Sequence, residues 1–418
     1  MFLMLKKILT NLAVCACLAV SVTSEAQTVR TRAELSTPPA VPLWQGQTPK
    51  RDAESRLLEV YRLISRGQGR EALERIESLV ADHPNFQLAQ LVYADMLLAR
   101  SQPLSAKGSG ASSFGPAARQ RLEQLRLEAN RRIEAFRQRP QPGLIPAPFV
   151  ELPLTSRHAI AVDISRSRLY LFENTAQGLR LISDHYASIG LLGADKRVEG
   201  DQRTPLGIYY ITSRLEDRQL IDFYGAGALP LNYPNEYDRR LGRTGSGIWL
   251  HGVPSDSYAR PPQSTDGCVA LANVELEPIL RLVQPRTTPV VIARQLEWVN
   301  AAKAEPERRS LQNLIEGWRA ARNSGDLNRL MSFYSPQFAS GQRDLAQWRQ
   351  VLTRDIEQAG QRPVELKDLA ILNWRDQNEL LVVTFGEVRE GQRTGVIKRQ
   401  YWGKEGGLWK IFYEGVIG

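Results

Sequence analysis

The sequence predicts a multidomain protein: a helical region first, a mainly-β domain in the middle, and an α+β domain at the end. Three observations carry this. The 418 residues are 42% hydrophobic and 24% charged, an ordinary globular balance. At about 100–200 residues per domain, that length supplies several cores. The hydrophobic period is helical to about residue 140, strand-like from about Leu154, and passes from helices back to strands after about Glu305. Breaks rich in proline or glycine, such as Arg139-Pro140-Gln141-Pro142-Gly143, separate the blocks. The expected boundaries are 50–140, 154–294 and 305–418.

Residues 1–26 read as a secretory leader. Lys6 and Lys7 give a positive start, Ile8 to Val22 is mostly apolar, and Ser24-Glu25-Ala26 places small residues at a cleavage site. The run is short for a membrane span, which needs ~20 apolar residues. Cleavage removes Cys15 and Cys17 and leaves Cys268 alone in an oxidising compartment, the expected periplasm. One thiol makes no internal disulfide. It is either a small buried hydrophobe or a reactive group, and its neighbours decide which. The net charge of +9 suits an anionic envelope polymer. With no basic run or recognition motif, nucleic acid is not an expected partner.

In the helical region, Leu57, Val60, Tyr61 and Ile64 share one face, as do Ala72, Ile76, Leu79 and Val80. Gly67 and Gly69 separate those two helices, and Pro84-Asn85 precedes a third over Phe86–Arg100. The pattern resembles one or two tetratricopeptide units, with small Ala72 and Ala94 where helices approach. Such a face serves either to pack on the chain or to bind another envelope protein. Ser101–Gly115 is Ser/Gly-rich and expected to be flexible. Pro116 opens a polar helix to about Gln138.

The middle block offers short strands at Ala159–Asp163, Arg168–Glu173, Leu179–Tyr186, Ile208–Thr212, Gly247–Leu250 and Pro289–Ile292. A helix over Asn273–Leu282, with Asn273 as its cap, interrupts them. In the last block, helices at Ser310–Asn323, Leu327–Tyr334 and Leu345–Glu357 precede strands at Val364–Leu372, Glu379–Glu387, Arg393–Trp402 and Leu408–Gly415. That order predicts an α+β domain. Trp374, Tyr401, Trp402 and Trp409 at strand spacing are core residues or the lining of a pocket. A dinucleotide-binding reading of Gly225-Ala226-Gly227 fails, because Pro230 stands where the third glycine belongs.

The chemistry concentrates in Trp249-Leu250-His251-Gly252 and Ser264-Thr265-Asp266-Gly267-Cys268-Val269-Ala270-Leu271. A strand ending in His251-Gly252 puts an imidazole at a sheet edge, and the step to Cys268 is long enough to loop back beside it. A thiol attacks as thiolate, and an adjacent imidazole takes its proton. Gly267 keeps the backbone clear beside the sulfur, so that the amides of Gly267 and Cys268 can face a developing oxyanion. The chain's four histidines, His83, His158, His185 and His251, lack metal spacing, and no metal site is expected.

These segments resemble the L,D-transpeptidase catalytic domain (YkuD-like), whose signature is His-Gly followed by Ser-x-Gly-Cys and an aliphatic residue. Thr204-Pro205-Leu206-Gly207 resembles the family's upstream Thr-Pro-x-Gly element, and Ser188-Ile189-Gly190 the turn before it. The final block, with its Gly325-Asp326-Leu327 junction, resembles the nuclear transport factor-like (NTF2-like) cone. The resemblance implies a cysteine acyltransferase of peptidoglycan stem peptides. Cys268 would attack the carbonyl beside the diamino acid of a tetrapeptide stem and release D-alanine. His251 would be base and then acid, the Gly252 carbonyl would orient its ring, and Gly267 and Cys268 would hold the oxyanion. No metal or cofactor is implied, and carbapenems are the expected inhibitors.

Two positions depart from the family's commoner pattern. Asp266 stands where most members have histidine, and Ala270 where many have arginine. An acidic Asp266 disfavours a nearby thiolate unless it turns outward or meets an arginine. Ser264, Thr265, Asp266, Arg203 and Trp249 are the candidate substrate contacts. Arg203, Arg243 and Arg260 flank the motifs and could hold a stem carboxylate, although each reads more simply as a solvated surface residue. Ala270 and the NTF2-like tail resemble a branch that includes L,D-carboxypeptidases. Two acyl acceptors therefore stay open: an amine, giving transpeptidation, or water, giving trimming to tripeptides. A non-catalytic peptidoglycan-binding scaffold is the alternative of another class.

Overall fold

The computed structural model describes residues 53–101, 115–359, 362–376 and 378–417. The leader expected over 1–26 and nearly all of the Ser/Gly-rich stretch lie outside the described residues. The chain divides into two compact units, Met1–Ile133 and Glu134–Gly418. Among the described residues no helix is long and apolar enough to cross a membrane.

The first unit contains α1 (Ala53–Ser65), α2 (Gly69–Asp82), α3 (Gln87–Ser101) and the start of α4 (Pro116–Arg137). α1 packs on α2 and α2 on α3. The faces that meet are those whose apolar residues recur at helical spacing: Leu57, Val60 and Tyr61 in α1, with Ala72, Ile76 and Leu79 in α2, are buried. Arg132 of α4 is also buried, and Glu54 (2.8 Å) and Glu128 (2.9 Å) flank its guanidinium. Without them a buried cation would be costly. The tetratricopeptide resemblance stands as a likeness of pattern.

The second unit opens with β1 (Leu144–Pro146) and β2 (Phe149–Glu151), then the meander β3 (His158–Asp163), β4 (Arg168–Thr175) and β5 (Gly178–Tyr186). It continues through β6 (Ile189–Gly190), β7 (Gly207–Tyr210), β8 (Leu215–Glu216), β9 (Gly227–Pro230), α5 (Glu236–Arg240), β10 (Trp249–His251), β11 (Gln263–Thr265) and β12 (Val269–Ala270). Helix α6 (Asn273–Leu282) and strand β13 (Pro289–Ala293) follow. The main sheet has the order β5-β4-β3-β13-β7, with β13 parallel to β3 and antiparallel to β7. β3 and β13 are buried throughout. That explains why Ala159–Val162 and Val290–Ile292 are continuous apolar runs and do not alternate.

A second sheet, β12-β10-β9-β8, carries His251 and the residues after Cys268, and the parallel pair β6–β11 joins Thr265 to Gly190 of the upstream motif. The strand expected at Gly247–Leu250 begins later, because Gly247 takes a φ of 72°. Asn273 is not the cap of α6. Ala272, in extended conformation, occupies that place, and the Asn273 side chain is used elsewhere.

The last part runs through β14 (Trp298–Asn300), α7 (Ala301–Ser324), α8 (Leu327–Met331), β15 (Ala339–Ser340), β16 (Arg343–Asp344) and α9 (Leu345–Ala359). Four long strands follow: β17 (Val364–Arg375), β18 (Glu379–Arg389), β19 (Val396–Glu405) and β20 (Leu408–Val416). α7 starts well before Ser310, because the Asn300 side chain accepts from the Lys303 amide at 2.8 Å and caps it there. The sheet order is β2-β17-β18-β19-β20, antiparallel throughout.

Alternation along β18 assigns the two faces of this sheet. Leu381, Val383 and Phe385 pack with Trp318, Trp348 and Trp402 beneath the helices, whereas Leu380 and Val382 join the core of the preceding domain. The stretch after Pro146, which reads as a lead between domains, instead supplies edge strand β2, with Phe149 opposite Leu372. The Arg399 guanidinium lies 3.4 Å from the Tyr210 ring centre and ties β19 to β7. Trp374, Tyr401 and Trp402 are buried core residues.

Candidate active site

Two adjacent parallel strands set the geometry. Leu250 pairs with Val269 and His251 with Ala270, so Cys268 sits just ahead of β12, beside β10. The thiol is partly exposed. Its Sγ accepts from the Trp249 amide (3.4 Å) and faces the Gly247 carbonyl (3.3 Å). Resting thiol and imidazole are therefore strand neighbours whose hydrogen bonds go to backbone, a looseness common before substrate arrives.

His251 is 1% exposed. Its Nδ1 lies 2.6 Å from the Gly252 carbonyl oxygen. A carbonyl only accepts, so Nδ1 carries the proton and Nε2 keeps the lone pair of a base. Aromatic rings wall the imidazole: Phe223 stacks on it at 6.1 Å, and Tyr224 meets it edge-on at 5.2 Å and packs on Trp249 at 4.8 Å.

Two glycines are sterically required. A Cβ on Gly252 would come within 2.1 Å of the Asn273 Oδ1, and one on Gly267 within 2.6 Å of the Arg203 carbonyl oxygen. Gly267 also has a φ of 123°. The Asn273 side chain clamps the loop behind the imidazole. It accepts from the amides of Ala226 (3.0 Å) and Val253 (3.1 Å) and donates to the Val253 carbonyl (2.8 Å). Buried Thr265 braces the turn before the thiol: its hydroxyl accepts from the Gly267 amide at 3.1 Å and donates to the Cys268 carbonyl at 2.7 Å. The upstream motif holds the strand that pairs with Thr265, where the Thr204 hydroxyl accepts from the Gly190 amide at 2.8 Å.

Burial dominates the electrostatics. It pushes the Cys268 thiol up to about 11; the Trp249 amide, Arg260 and Lys196 oppose this, and Asp266 adds to it. Burial also holds His251 down at about 4; the Gly252 hydrogen bond opposes this, and the Arg260 charge adds to it. Both shifts favour a neutral thiol beside a neutral imidazole before substrate arrives.

The structure brings Cys268, His251, Gly252, Gly267 and Trp249 together and redirects several others. The Gly267 amide is not available for an oxyanion, because Thr265 accepts from it. Thr265 turns inward, whereas half-exposed Ser264 donates to the Pro261 carbonyl at 3.0 Å. Arg203 donates to the Ala194 carbonyl at 3.0 Å. Asp266 is exposed and accepts from Gln202 at 3.0 Å. Sequence reasoning missed Phe223, Tyr224 and Asn273. An aromatic pair just ahead of the glycines Gly225 and Gly227 was the available signal for the first two, whereas Asn273 looks like an ordinary cap.

The one thiol among the described residues thus lies beside a carbonyl-anchored imidazole on the neighbouring parallel strand, the arrangement of a cysteine nucleophile and its base. Residues 157–292 match the L,D-transpeptidase catalytic domain (YkuD), and residues 310–415 match the Cds6 C-terminal NTF2-like domain. The chain carries both, in that order. Among solved structures it resembles Bd1075 of Bdellovibrio bacteriovorus at 28% identity, covering 65% of this chain and 98% of that one with a TM-score of 0.57. It also shares its fold with Pgp2 of Campylobacter jejuni, described as a helical cell shape determining protein. There the identity is 24%, the coverage 62% and 91%, and the TM-score 0.51. Comparison with curated proteins found no match.

Proposed function

We propose that the chain is a periplasmic cysteine acyltransferase of peptidoglycan stem peptides, an L,D-transpeptidase that forms a thioester on Cys268. The observation that carries this is the 2.6 Å contact from His251 Nδ1 to the Gly252 carbonyl, which leaves Nε2 as a base one strand from the only described cysteine. As the Sγ–C bond to the stem carbonyl forms, Nε2 takes the thiol proton. The Cys268 amide faces the oxyanion. The imidazolium then protonates the departing nitrogen as the C–N bond breaks, D-alanine leaves, and the acyl group stays on sulfur. An incoming amine or water reverses the sequence with His251 again as base.

Amine attack yields a crosslink and is the first reading. Hydrolysis to tripeptide is the second, supported by Ala270 at the family's arginine position and by the Cds6-type tail. Either reaction would remodel the wall, in keeping with the cell-shape description of the Pgp2 neighbour. Tetrapeptide-rich sacculi digested with the protein and resolved into muropeptides test this. New 3–3 dimers support transpeptidation, tripeptide monomers alone support hydrolysis, and an unchanged profile overturns both.

A further inference from the structure

Of the four cations in and around the site motifs, Lys196, Arg203, Arg243 and Arg260, three are already engaged. Lys196 is held by Asp201 at 2.8 Å, Arg243 by Asp238 at 3.0 Å and Asp195 at 3.3 Å, and Arg203 by the Ala194 carbonyl. Arg260 differs. It enters from the loop between β10 and β11, and its carbonyl is pinned by the hydroxyls of Tyr186 and Ser188, both at 2.9 Å. Its guanidinium lies 4.1 Å from the Phe223 ring centre, on the ring that stacks against His251. Its one side-chain hydrogen bond among the described residues is to the Phe223 carbonyl, at 3.4 Å. No described carboxylate lies within ion-pair distance of it.

A half-buried guanidinium, fixed at its root and laid on an aromatic face, is preorganised to receive a planar anion by two parallel hydrogen bonds. The Phe223 ring that carries it stacks on His251, so its charge stands at the edge of the site, on the imidazole side. Resting on the acyl-transfer reading above, we infer that Arg260 anchors a carboxylate of the stem peptide next to the scissile bond. It would supply from this loop the cation that Ala270 does not. The stem offers two sources of that group: the terminal carboxylate of the D-alanine that leaves, and the side-chain carboxyl of the diamino acid.

Binding tests this without requiring turnover. Full-length Cys268→Ala and Cys268→Ala/Arg260→Gln proteins are titrated with three peptides: the free tetrapeptide stem, its C-terminal D-alaninamide, and the stem amidated at the diamino-acid side chain. The expected result is a roughly 10- to 100-fold preference for the free acid over one amide, lost in the Arg260→Gln background. The amide that binds poorly identifies the carboxylate. In the enzyme with its thiol intact, Arg260→Lys should recover part of kcat/KM on the free acid. Equal weakening of all three peptides by Arg260→Gln, or a preference that survives it, overturns the inference. A preference that disappears with Arg260→Gln, from a protein that never releases D-alanine, upholds the anchor and sinks the acyl-transfer reading.

Discussion

Thr265→Val separates a brace from a substrate contact. The substitution keeps the branched shape and removes the hydroxyl. It strands the Gly267 amide, whose acceptor at 3.1 Å disappears, and the Cys268 carbonyl, whose donor at 2.7 Å disappears. Both bonds lie at a residue only 4% exposed, so water replaces them poorly. At ~1–3 kcal/mol for each of the two buried polar groups left unpaired, the loss is about 2–6 kcal/mol of stability. The turn that aims the thiol relaxes, and an error of about 1 Å in a reacting atom costs roughly 100-fold in rate. Urea unfolding and steady-state kinetics on a tetrapeptide stem check this. The expected outcome is a lower midpoint, a kcat down about 10–100-fold and a KM nearly unchanged, with Thr265→Ser close to wild type. A raised KM with kcat and stability intact would make Thr265 a substrate contact and refute the brace.

Gly252→Ala should be severely destabilised or insoluble, because its Cβ would sit 2.1 Å from Asn273 Oδ1 and 2.9 Å from the Ala226 amide; normal expression and melting would contradict the packing. Alkylation of Cys268 by iodoacetamide should be slow at pH 7 and climb toward pH 11, since burial holds the thiol near about 11. A rate already level from pH 5 would mean a resting thiolate–imidazolium pair. His251 should make folding weaken in acid. Its folded pKa of about 4 lies below the unfolded value near 6.5, so the unfolded chain takes the proton first as pH falls, at a cost of about 3 kcal/mol by pH 4 and none above pH 7. Urea midpoints of wild type and His251→Gln should therefore converge or cross between pH 7 and pH 4; parallel curves would contradict the burial.

What the sequence made legible was what periodicity and local motifs encode. The β3–β5 meander, the four long strands β17–β20 and the helices flanking them follow from apolar spacing and turn residues. The pairing of the His251 and Cys268 segments follows from their residue types. Contacts made at long range were not legible. β2 reads as a proline-rich lead, yet it completes the last sheet, because its partner β17 lies more than 200 residues away. Asn273 satisfies every rule for a helix cap and instead holds Val253 and Ala226. Thr265 faces substrate in the motif and faces the protein in the fold. The mutual neutrality of Cys268 and His251 was hidden for the same reason, since it depends on burial that no local pattern reports.

The most direct test of the account is intact-protein mass spectrometry after rapid mixing with a tetrapeptide stem, read beside D-alanine release. The account predicts a tripeptidyl adduct on Cys268, labile to hydroxylamine as a thioester is, formed in step with D-alanine and absent from Cys268→Ala. Continued D-alanine release by Cys268→Ala, or an adduct mapped to another residue, would contradict it.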